Sequence, residues 1–185
     1  NPDLFTICPG YGINYGQLHQ HIFGEEMHDF LLGHQLASWV GHATDPEIRR
    51  SGSSGGVLTA VLLYLLEEGL IDGAIVLEQG SPELWSARPV IATTPEMIKA
   101  SAQSVYIPVM TNRFLAEAEK FKGRLAYVGL PFQVAALRRL QALGNIGALK
   151  VDYVLGPYKG TSFLLGAIES YLRSNGVHGL EQVKK

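Results

Sequence analysis

The chain is poor in the residues on which several large protein classes depend. A single cysteine, Cys8, among 185 residues excludes an internal disulfide framework and a cysteine-rich metal site within this chain. The longest apolar run ends at Glu67-Glu68 and falls short of the roughly 20 residues that span a bilayer. We therefore expect a cytoplasmic protein without a membrane-spanning segment.

An excess of one charge is also missing. Fifteen basic and seventeen acidic residues give a net charge of −2, with no basic block, so general binding of nucleic acid or of an anionic membrane surface is not expected. The first residues, Asn1-Pro2-Asp3, lack the basic and apolar regions of a signal peptide. Because they also lack an initiator Met, we expect a processed chain or a fragment of a longer one.

One segment stands out among the residues that are present. The run from Arg50 to Gly56, rich in Ser and Gly, opens directly into an apolar stretch over residues 57–66 that predicts a helix. A helix N-terminus offers unpaired N–H groups and the positive end of the dipole, so it can bind an anion. The alternative is an ordinary helix capped by Ser54. Neither a Walker A loop nor a GxGxxG motif is present.

Strands alternate with helices from residue 74 onward, which predicts an α/β fold: a mixed, mostly parallel sheet with flanking helices. We expect an irregular N-terminal arm over residues 1–34 and an α/β domain over 35–185, incomplete at its C-terminus. Within the domain, the predicted strands are 36–43, 74–77, 85–92, 125–128 and 151–155. The predicted helices begin with a turn at 46–49 and continue at 56–68, 94 onward, 111–123, 133–143 and 162–174.

Several segments in a fixed order resemble one family, that of coenzyme F-420 hydrogenase/dehydrogenase beta subunits. No single motif is decisive, and the resemblance covers roughly residues 36–165. The segments are Asp45-Pro46-Glu47-Ile48-Arg49, residues 53–60, residues 67–74, residues 104–109 and Val128-Gly129-Leu130-Pro131-Phe132-Gln133 with the five residues that follow.

The resemblance implies an FAD-dependent oxidoreductase or electron-transfer subunit, which exchanges electrons with a soluble deazaflavin-type carrier and a partner redox subunit. It implies that the pyrophosphate of FAD lies on Ser53, Ser54, Gly55, Gly56 and Thr59. Along the flavin it places Tyr106, Gly129, Leu130, Pro131, Phe132 and Gln133. No catalytic acid or base stands out, and the oligomeric state stays open.

The chain departs from the family where iron–sulfur ligands would lie. The family's Gly-x-Pro-Cys-Gln is Gly129-Leu130-Pro131-Phe132-Gln133 here, and its Gly-Leu-Phe-Cys corresponds to Gly156-Pro157-Tyr158-Lys159. Clusters need thiolates. Although Cys8-Pro9 resembles the end of a ferredoxin-type run, no further cysteines precede it. We expect no cluster from this chain alone, and either a fragment or a shortened relative of the family.

Other constellations leave alternatives open. Lys159 lies in a loop bounded by glycines that predicts either a second anion site or a surface turn. Arg138-Arg139 indicates a solvated helix face or a contact with an acidic partner or a phosphate. A group of imidazoles and carboxylates in the arm lacks a recognised zinc pattern, so a polar arm is favoured and no metal is expected; this group comprises His19, His21, His28, Glu25 and Glu26.

Two other functions remain open. The chain is alternatively a non-catalytic interaction or structural domain derived from the same family, without a cluster. A nucleotide-binding transferase that uses the same anion loops is a weaker alternative.

Overall fold

The computed structural model describes residues 3–80, 85–158 and 160–183, and a four-stranded sheet lies at its centre. The strands are β1 (Gly73–Gln79), β2 (Ala87–Ala92), β3 (Leu125–Val128) and β4 (Val151–Leu155). Their order is β2-β1-β3-β4. The β1–β2 pair is antiparallel, whereas β1–β3 and β3–β4 are parallel. This confirms the predicted mixed, mostly parallel sheet.

Nine α-helices and three 3-10 turns surround this sheet within the described residues. The helices are α1 (Asp3–Ile7), α2 (Tyr15–Phe23), α3 (Pro46–Ser51), α4 (Val57–Glu67), α5 (Pro95–Ala100), α6 (Leu115–Ala118), α7 (Pro131–Ala142), α8 (Ile146–Leu149) and α9 (Leu165–Ser174). The 3-10 turns are Pro9–Tyr11, Thr111–Phe114 and Leu180–Gln182. In the described part of the chain, none of these helices combines the length and apolar character needed to cross a membrane.

The two faces of the sheet carry separate apolar cores. On β1, Ala74 and Val76 belong to one core while Ile75 belongs to the other, as the two-residue period of a strand requires. The first core adds residues of α3, α4 and α5; the second adds residues of α6, α7 and α8. Both faces of the central strands are therefore covered, which explains why their sequences read as continuous apolar runs.

Local sequence signals account for the starts of α3 and α5. The Asp45 carboxylate accepts hydrogen bonds from the N–H groups of Glu47 and Ile48, and the Thr94 hydroxyl accepts one from Met97 N–H. A proline occupies the first turn of each of these two helices, where its missing N–H costs nothing. The strands predicted at 74–77, 85–92, 125–128 and 151–155 are confirmed within two residues.

Three local predictions are wrong. Residues 36–43 form no strand, because they pair with no neighbouring strand and, apart from Ala43, stay exposed. Thr111 begins a 3-10 turn rather than capping a helix; its side chain is buried and bonds to Gln133. The helix predicted from residue 162 begins at Leu165.

The arm is less irregular than expected, since it contains α1, α2 and a 3-10 turn. Asn14 caps α2 by accepting a hydrogen bond from Gln17 N–H. The arm packs against α7, where the Arg139 guanidinium donates to the carbonyl oxygens of Gly12 at 2.7 Å and Ile7 at 3.5 Å. Arg139 therefore holds the arm against α7 and is not a freely solvated residue. The domain boundary at residues 34 and 35 stays a prediction.

Candidate functional site

A cleft of about 390 Å³ lies beside the carboxyl ends of the parallel strands. Its walls come from the N-terminus of α4, the segment 101–109, the turn after β3 and the loop after β4. In open α/β sheets, ligands bind in the crevice outside the carboxyl ends of the strands. The fold therefore brings together loops that lie far apart in the sequence, at the edge where such sheets hold ligands.

The glycine-rich segment forms the end of the cleft nearest α4. Gly56, not Ser54, is the N-cap of α4; its φ of 74° lies in the left-handed region, and no side chain caps the helix in the described structure. A Cβ at Gly56 would also meet the carbonyl group of Ile48. The alternative of an ordinary helix capped by Ser54 is therefore wrong, and the first N–H groups of α4 adjoin the cleft without a capping side chain.

Ser53 connects the glycine-rich segment to the opposite wall. Its Oγ accepts a hydrogen bond from Ser104 N–H at 3.0 Å, and both residues line the cleft. A hydroxyl that accepts one bond still has a proton to donate. Ser53 can therefore hold the two walls together and still donate to a ligand.

The turn after β3 is held by Gln133. Its side-chain amide donates to the Val109 carbonyl at 3.1 Å and to Thr111 Oγ1 at 3.2 Å, and its Oε1 accepts from Leu130 N–H at 2.9 Å. Gln133 lines the cleft, but these three bonds occupy its polar atoms. It positions the turn and the segment that ends at Thr111, a role that no separate sequence signal indicated.

Gly129 has a structural role beside its place in the cleft. A Cβ there would overlap the ring of Tyr127, which is completely buried and donates from its hydroxyl to Asn112 Oδ1. Burial raises the pKa of Tyr127 above that of an exposed tyrosine, so the phenol stays neutral. The glycine lets this buried ring pack beneath the turn.

The described residues that line the cleft include no Lys, Arg, Asp or Glu. One group of lining residues offers hydroxyls, namely Ser53, Ser54, Thr59, Ser104, Thr161 and Ser162, and another offers apolar surface, namely Val57, Leu58, Val76, Ile107, Val128 and Leu130. Neutral donors and a helix N-terminus can stabilise a phosphate without an ion pair. The apolar group suits a flat ring system.

The structure gathers most of the predicted cofactor residues in this cleft. Ser53, Ser54, Gly56, Thr59, Tyr106, Gly129, Leu130 and Gln133 line it. Gly55, Pro131 and Phe132 are not among its described lining residues; a Cβ at Gly55 would instead approach His42. The predicted anion ligand Lys159 lies outside the described residues. The roles assigned to all these residues stay predictions.

Sequence reasoning missed Gln103, whose backbone lies in the left-handed region at φ 92° and which lines the cleft. Residues in this conformation are usually glycine or asparagine. A glutamine in the sequence therefore does not indicate a left-handed backbone. Strained backbone of this kind is concentrated at binding sites.

Two histidines and a glutamate of the arm form a second polar group, and none of them is among the described residues that line the cleft. Ligand atoms of His19, Glu25 and His34 lie within 4.8 Å of one another. His21, His28 and Glu26 do not belong to this group in the described part of the chain. The sequence indicated two of its three members and missed His34, because a turn of the chain rather than a fixed spacing brings it in.

Comparisons with known proteins match the part of the chain that builds the sheet and cleft. A family model described as coenzyme F420 hydrogenase/dehydrogenase, beta subunit N-term, matches residues 38–116, and the C-terminus model of the same family matches residues 122–185. Neither match includes residues 1–37.

Curated relatives carry consistent names. The chain is 29% identical over 148 residues to the coenzyme F420 hydrogenase subunit beta of Methanothermobacter thermautotrophicus, covering 77% of this chain and 52% of the relative. It is 32% identical over 148 residues to the coenzyme F420-dependent sulfite reductase of Methanocaldococcus jannaschii, covering 72% and 23%. The chain thus spans about half the length of the hydrogenase relative and less of the reductase.

A solved structure agrees in fold. A chain of the F420-reducing NiFe hydrogenase complex from Methanosarcina barkeri superposes with a TM-score of 0.70 at 30% identity, covering 78% of this chain and 51% of that chain. The two family models together match more than half of the chain, and the curated relatives and the superposed fold carry names that agree with them. The chain belongs to the coenzyme F420 hydrogenase/dehydrogenase beta-subunit family.

Proposed function

We propose that this chain is the flavin-binding part of an F420-linked electron-transfer subunit and that it binds FAD in the cleft at the carboxyl edge of the sheet. The observation that carries the proposal is the lining of the cleft, which joins an α4 N-terminus and hydroxyl donors to an apolar wall. Relatives named as F420 hydrogenase, formate dehydrogenase and sulfite reductase components support the choice of F420 as the electron carrier.

The donor set of the cleft fits the two chemically different halves of FAD. The N–H groups at the start of α4, with Ser53, Ser54 and Thr59, would hold the pyrophosphate. The apolar surface from Val128 to Leu130, with Tyr106 on the opposite wall, would flank the ring system. Volumes of about 300 to 1,000 Å³ are usual for sites of small molecules and cofactors, and this cleft falls within that range.

A bound flavin would supply the ability to exchange a hydride with one partner and electrons with another. The residues of the chain bind and orient the group and exclude water from its apolar side. Since no charged residue is among the described lining, the protein would stabilise the phosphates through fixed dipoles rather than ion pairs. No described residue is assigned as a catalytic acid or base.

The onward path of electrons would depend on a partner redox subunit or on residues supplied elsewhere. Phe132 and Lys159 stand at the two positions where the family resemblance implies cluster cysteines, and the Phe132 side chain is well exposed. Neither can ligate iron as a thiolate does. We therefore propose that any cluster near this cleft takes its ligands from outside residues 38–185.

Absorbance and binding measurements test the flavin proposal. After incubation with FAD and desalting, the protein should show paired bands near roughly 370 and 450 nm, as flavins do. Ser54→Ala should weaken FAD binding by about tenfold, the effect of one lost hydrogen bond to a charged group. Ser51→Ala is the matched control, because its hydroxyl donates to the Ile48 carbonyl and it does not line the cleft.

The result that overturns the proposal is a colourless protein whose thermal stability FAD does not raise. The second candidate function would then gain support: an interaction domain derived from this family. The exposed apolar side chains of the arm, among them Phe30, Leu31 and Leu32, favour it. Stable association with a redox subunit while the cleft stays free of flavin would distinguish the two.

A further inference from the structure

We propose that His19, Glu25 and His34 form a binding site for a divalent transition metal of the zinc class, which fastens the loop after α2 onto that helix. The site lies in the arm, before the first residue matched by the family models. It replaces the expectation that the chain holds no metal and does not depend on the proposed flavin function.

Geometry brings the three ligands together. One ligand atom from each residue lies within 4.8 Å of the other two. A tetrahedral zinc site with bonds of about 2.0 to 2.1 Å separates its ligand atoms by roughly 3.3 Å. To bind the metal, the ligand atoms must therefore approach one another by up to about 1.5 Å. Glu25 and His34 can make them, because their side chains are 48% and 27% exposed and are not locked in the core.

His19 is oriented in the manner usual for a metal ligand. Its Nδ1–H donates to the Glu25 carbonyl oxygen at 2.9 Å, which leaves Nε2 with a free lone pair. Metal-binding histidines commonly donate their second ring nitrogen to a backbone carbonyl, which fixes the tautomer and the ring orientation. This backbone bond also brings the Glu25 residue beside the His19 ring.

His34 and the Glu25 carboxylate supply the other two ligands. His34 Nδ1–H donates to Glu25 Oε1 at 2.8 Å, and a metal ion would take the place of the shared proton. The Phe23 ring stacks on His34 with a centroid separation of 4.1 Å and an interplanar angle of 18°. The stacking restricts the His34 ring to the side of the cluster, while water can occupy the fourth position on the exposed side.

Burial in the arm supports a special role for His19. Of the described side chains in residues 5–40, His19 is the buried one, at 8% exposure. A carboxylate and a second histidine lie beside this buried histidine. The three side chains together form a donor set that suits zinc. Two imidazoles and one carboxylate also suit other divalent first-row metals, and Zn²⁺ serves as the probe because it has no redox chemistry.

Calorimetric titration of the full chain with Zn²⁺, after treatment with a chelator, tests the site. We expect one equivalent to bind, and hydrogen exchange of the amides in residues 20–34 to slow when it does. His19→Gln should lose at least about 100-fold in zinc affinity, since even outer-shell changes commonly cost 10 to 100-fold. His21→Gln is the matched control on the same helix and should retain zinc binding.

Because His19 is buried, its variant can lose zinc through misfolding of the arm. His34→Asn and Glu25→Gln change exposed side chains and should lose affinity to a similar extent while circular dichroism stays unchanged. The proposal is overturned if the chain binds no stoichiometric Zn²⁺, or if His21→Gln weakens binding as much as the three cluster variants do.

Discussion

The sheet domain and the N-terminal segment of residues 5–40, which contains most of the arm, bury different kinds of side chain. In the sheet domain, the fully buried residues are apolar or neutral and belong to two cores, with Ile75, Leu125 and Tyr127 at 0% exposure. In residues 5–40, the buried described side chain is a histidine. Ten large apolar residues of that segment stay exposed, namely Phe5, Tyr11, Tyr15, Phe23, Phe30, Leu31, Leu32, Leu36, Trp39 and Val40.

This contrast indicates where the stability of each region comes from. Apolar burial contributes about 25 cal/mol per Å², so the sheet domain gains most of its stability from its cores. The arm gains little in that way and depends on individual polar contacts, chiefly those of Arg139 and of the His19 group. The boundary of the family match at residue 38 falls where the type of packing changes.

The largest loss of stability should follow from adding a Cβ at Gly129, where the Tyr127 ring packs against the backbone. Gly129→Ala places a methyl group inside the Tyr127 ring, so the ring or the turn must move. Overpacking of this kind costs about 3 kcal/mol in a well-packed core. Urea unfolding should show a lower midpoint with an unchanged dependence on urea concentration.

Gly156→Ala is the control for this change, because it lies at the neighbouring strand end and its Cβ would meet no atom closer than 3.9 Å. Its stability should stay within about 0.5 kcal/mol of the parent protein. Equal losses in the two variants would show that the sheet edge, and not the packing of Tyr127, sets the stability of the domain.

Arg139→Ala should release the arm and leave the sheet domain folded. The change removes two hydrogen bonds from a charged donor to the Gly12 and Ile7 carbonyls, a loss of about 1.5 to 3 kcal/mol in arm docking. Amide exchange in residues 5–23 should accelerate by about tenfold or more, while exchange in β1 and β3 stays slow.

Arg138→Ala provides the comparison on the same helix, since Arg138 donates to Gln141 and not to the arm. It should leave exchange in the arm unchanged. If both variants loosened the arm equally, α7 as a whole and not Arg139 would hold it.

Much of the sheet domain follows from short-range sequence signals. Asp45-Pro46 and Thr94-Pro95 set helix starts because their side chains and rings act within one turn. The run Leu125–Val128 predicts a buried strand, and in the structure it is one of the two inner strands of the sheet. The glycine-rich segment before α4 predicts an anion site, which stays a prediction, and the segment lines one end of the cleft.

Structural features that depend on residues far apart in the chain could not be predicted from local sequence. Residues 36–43 have the composition of a strand but find no partner strand, and backbone pairing is what makes a strand. Gln133 looks like one more residue of a cofactor loop until its bonds to Val109 and Thr111 are seen. His34 joins His19 through a turn whose path no local spacing specifies.

Tyr127→Phe tests how the sheet domain tolerates its buried phenol. Near neutral pH, loss of the bond to Asn112 should cost about 1 kcal/mol. In the parent protein the pKa of Tyr127 is raised by burial, whereas the unfolded chain ionises near pH 10. The stabilising effect of the tyrosine is therefore complete below about pH 10 and declines above it, by up to about 1.4 kcal/mol per pH unit.

The difference in unfolding free energy between Tyr127→Phe and the parent protein should therefore narrow as pH rises from 9 toward 11. Urea midpoints of both proteins at several pH values measure it. A difference that stays constant over this range would mean that the Tyr127 phenol ionises in the folded protein as easily as in the unfolded chain.

The smallest expected effect is the salt dependence of FAD binding in the cleft. No Lys, Arg, Asp or Glu is among the described lining residues. Salt would therefore screen only the attraction between the FAD phosphates and the dipole of α4. FAD affinity should fall by less than about threefold between roughly 50 and 500 mM NaCl. Lys159, which lies outside the described residues, is the cation that the sequence offers as an anion ligand. Lys159→Gln is therefore the control, and it should leave this salt dependence unchanged. A steep loss of affinity in the parent protein that disappears in Lys159→Gln would mean that a single cation, rather than the start of α4, holds the phosphates.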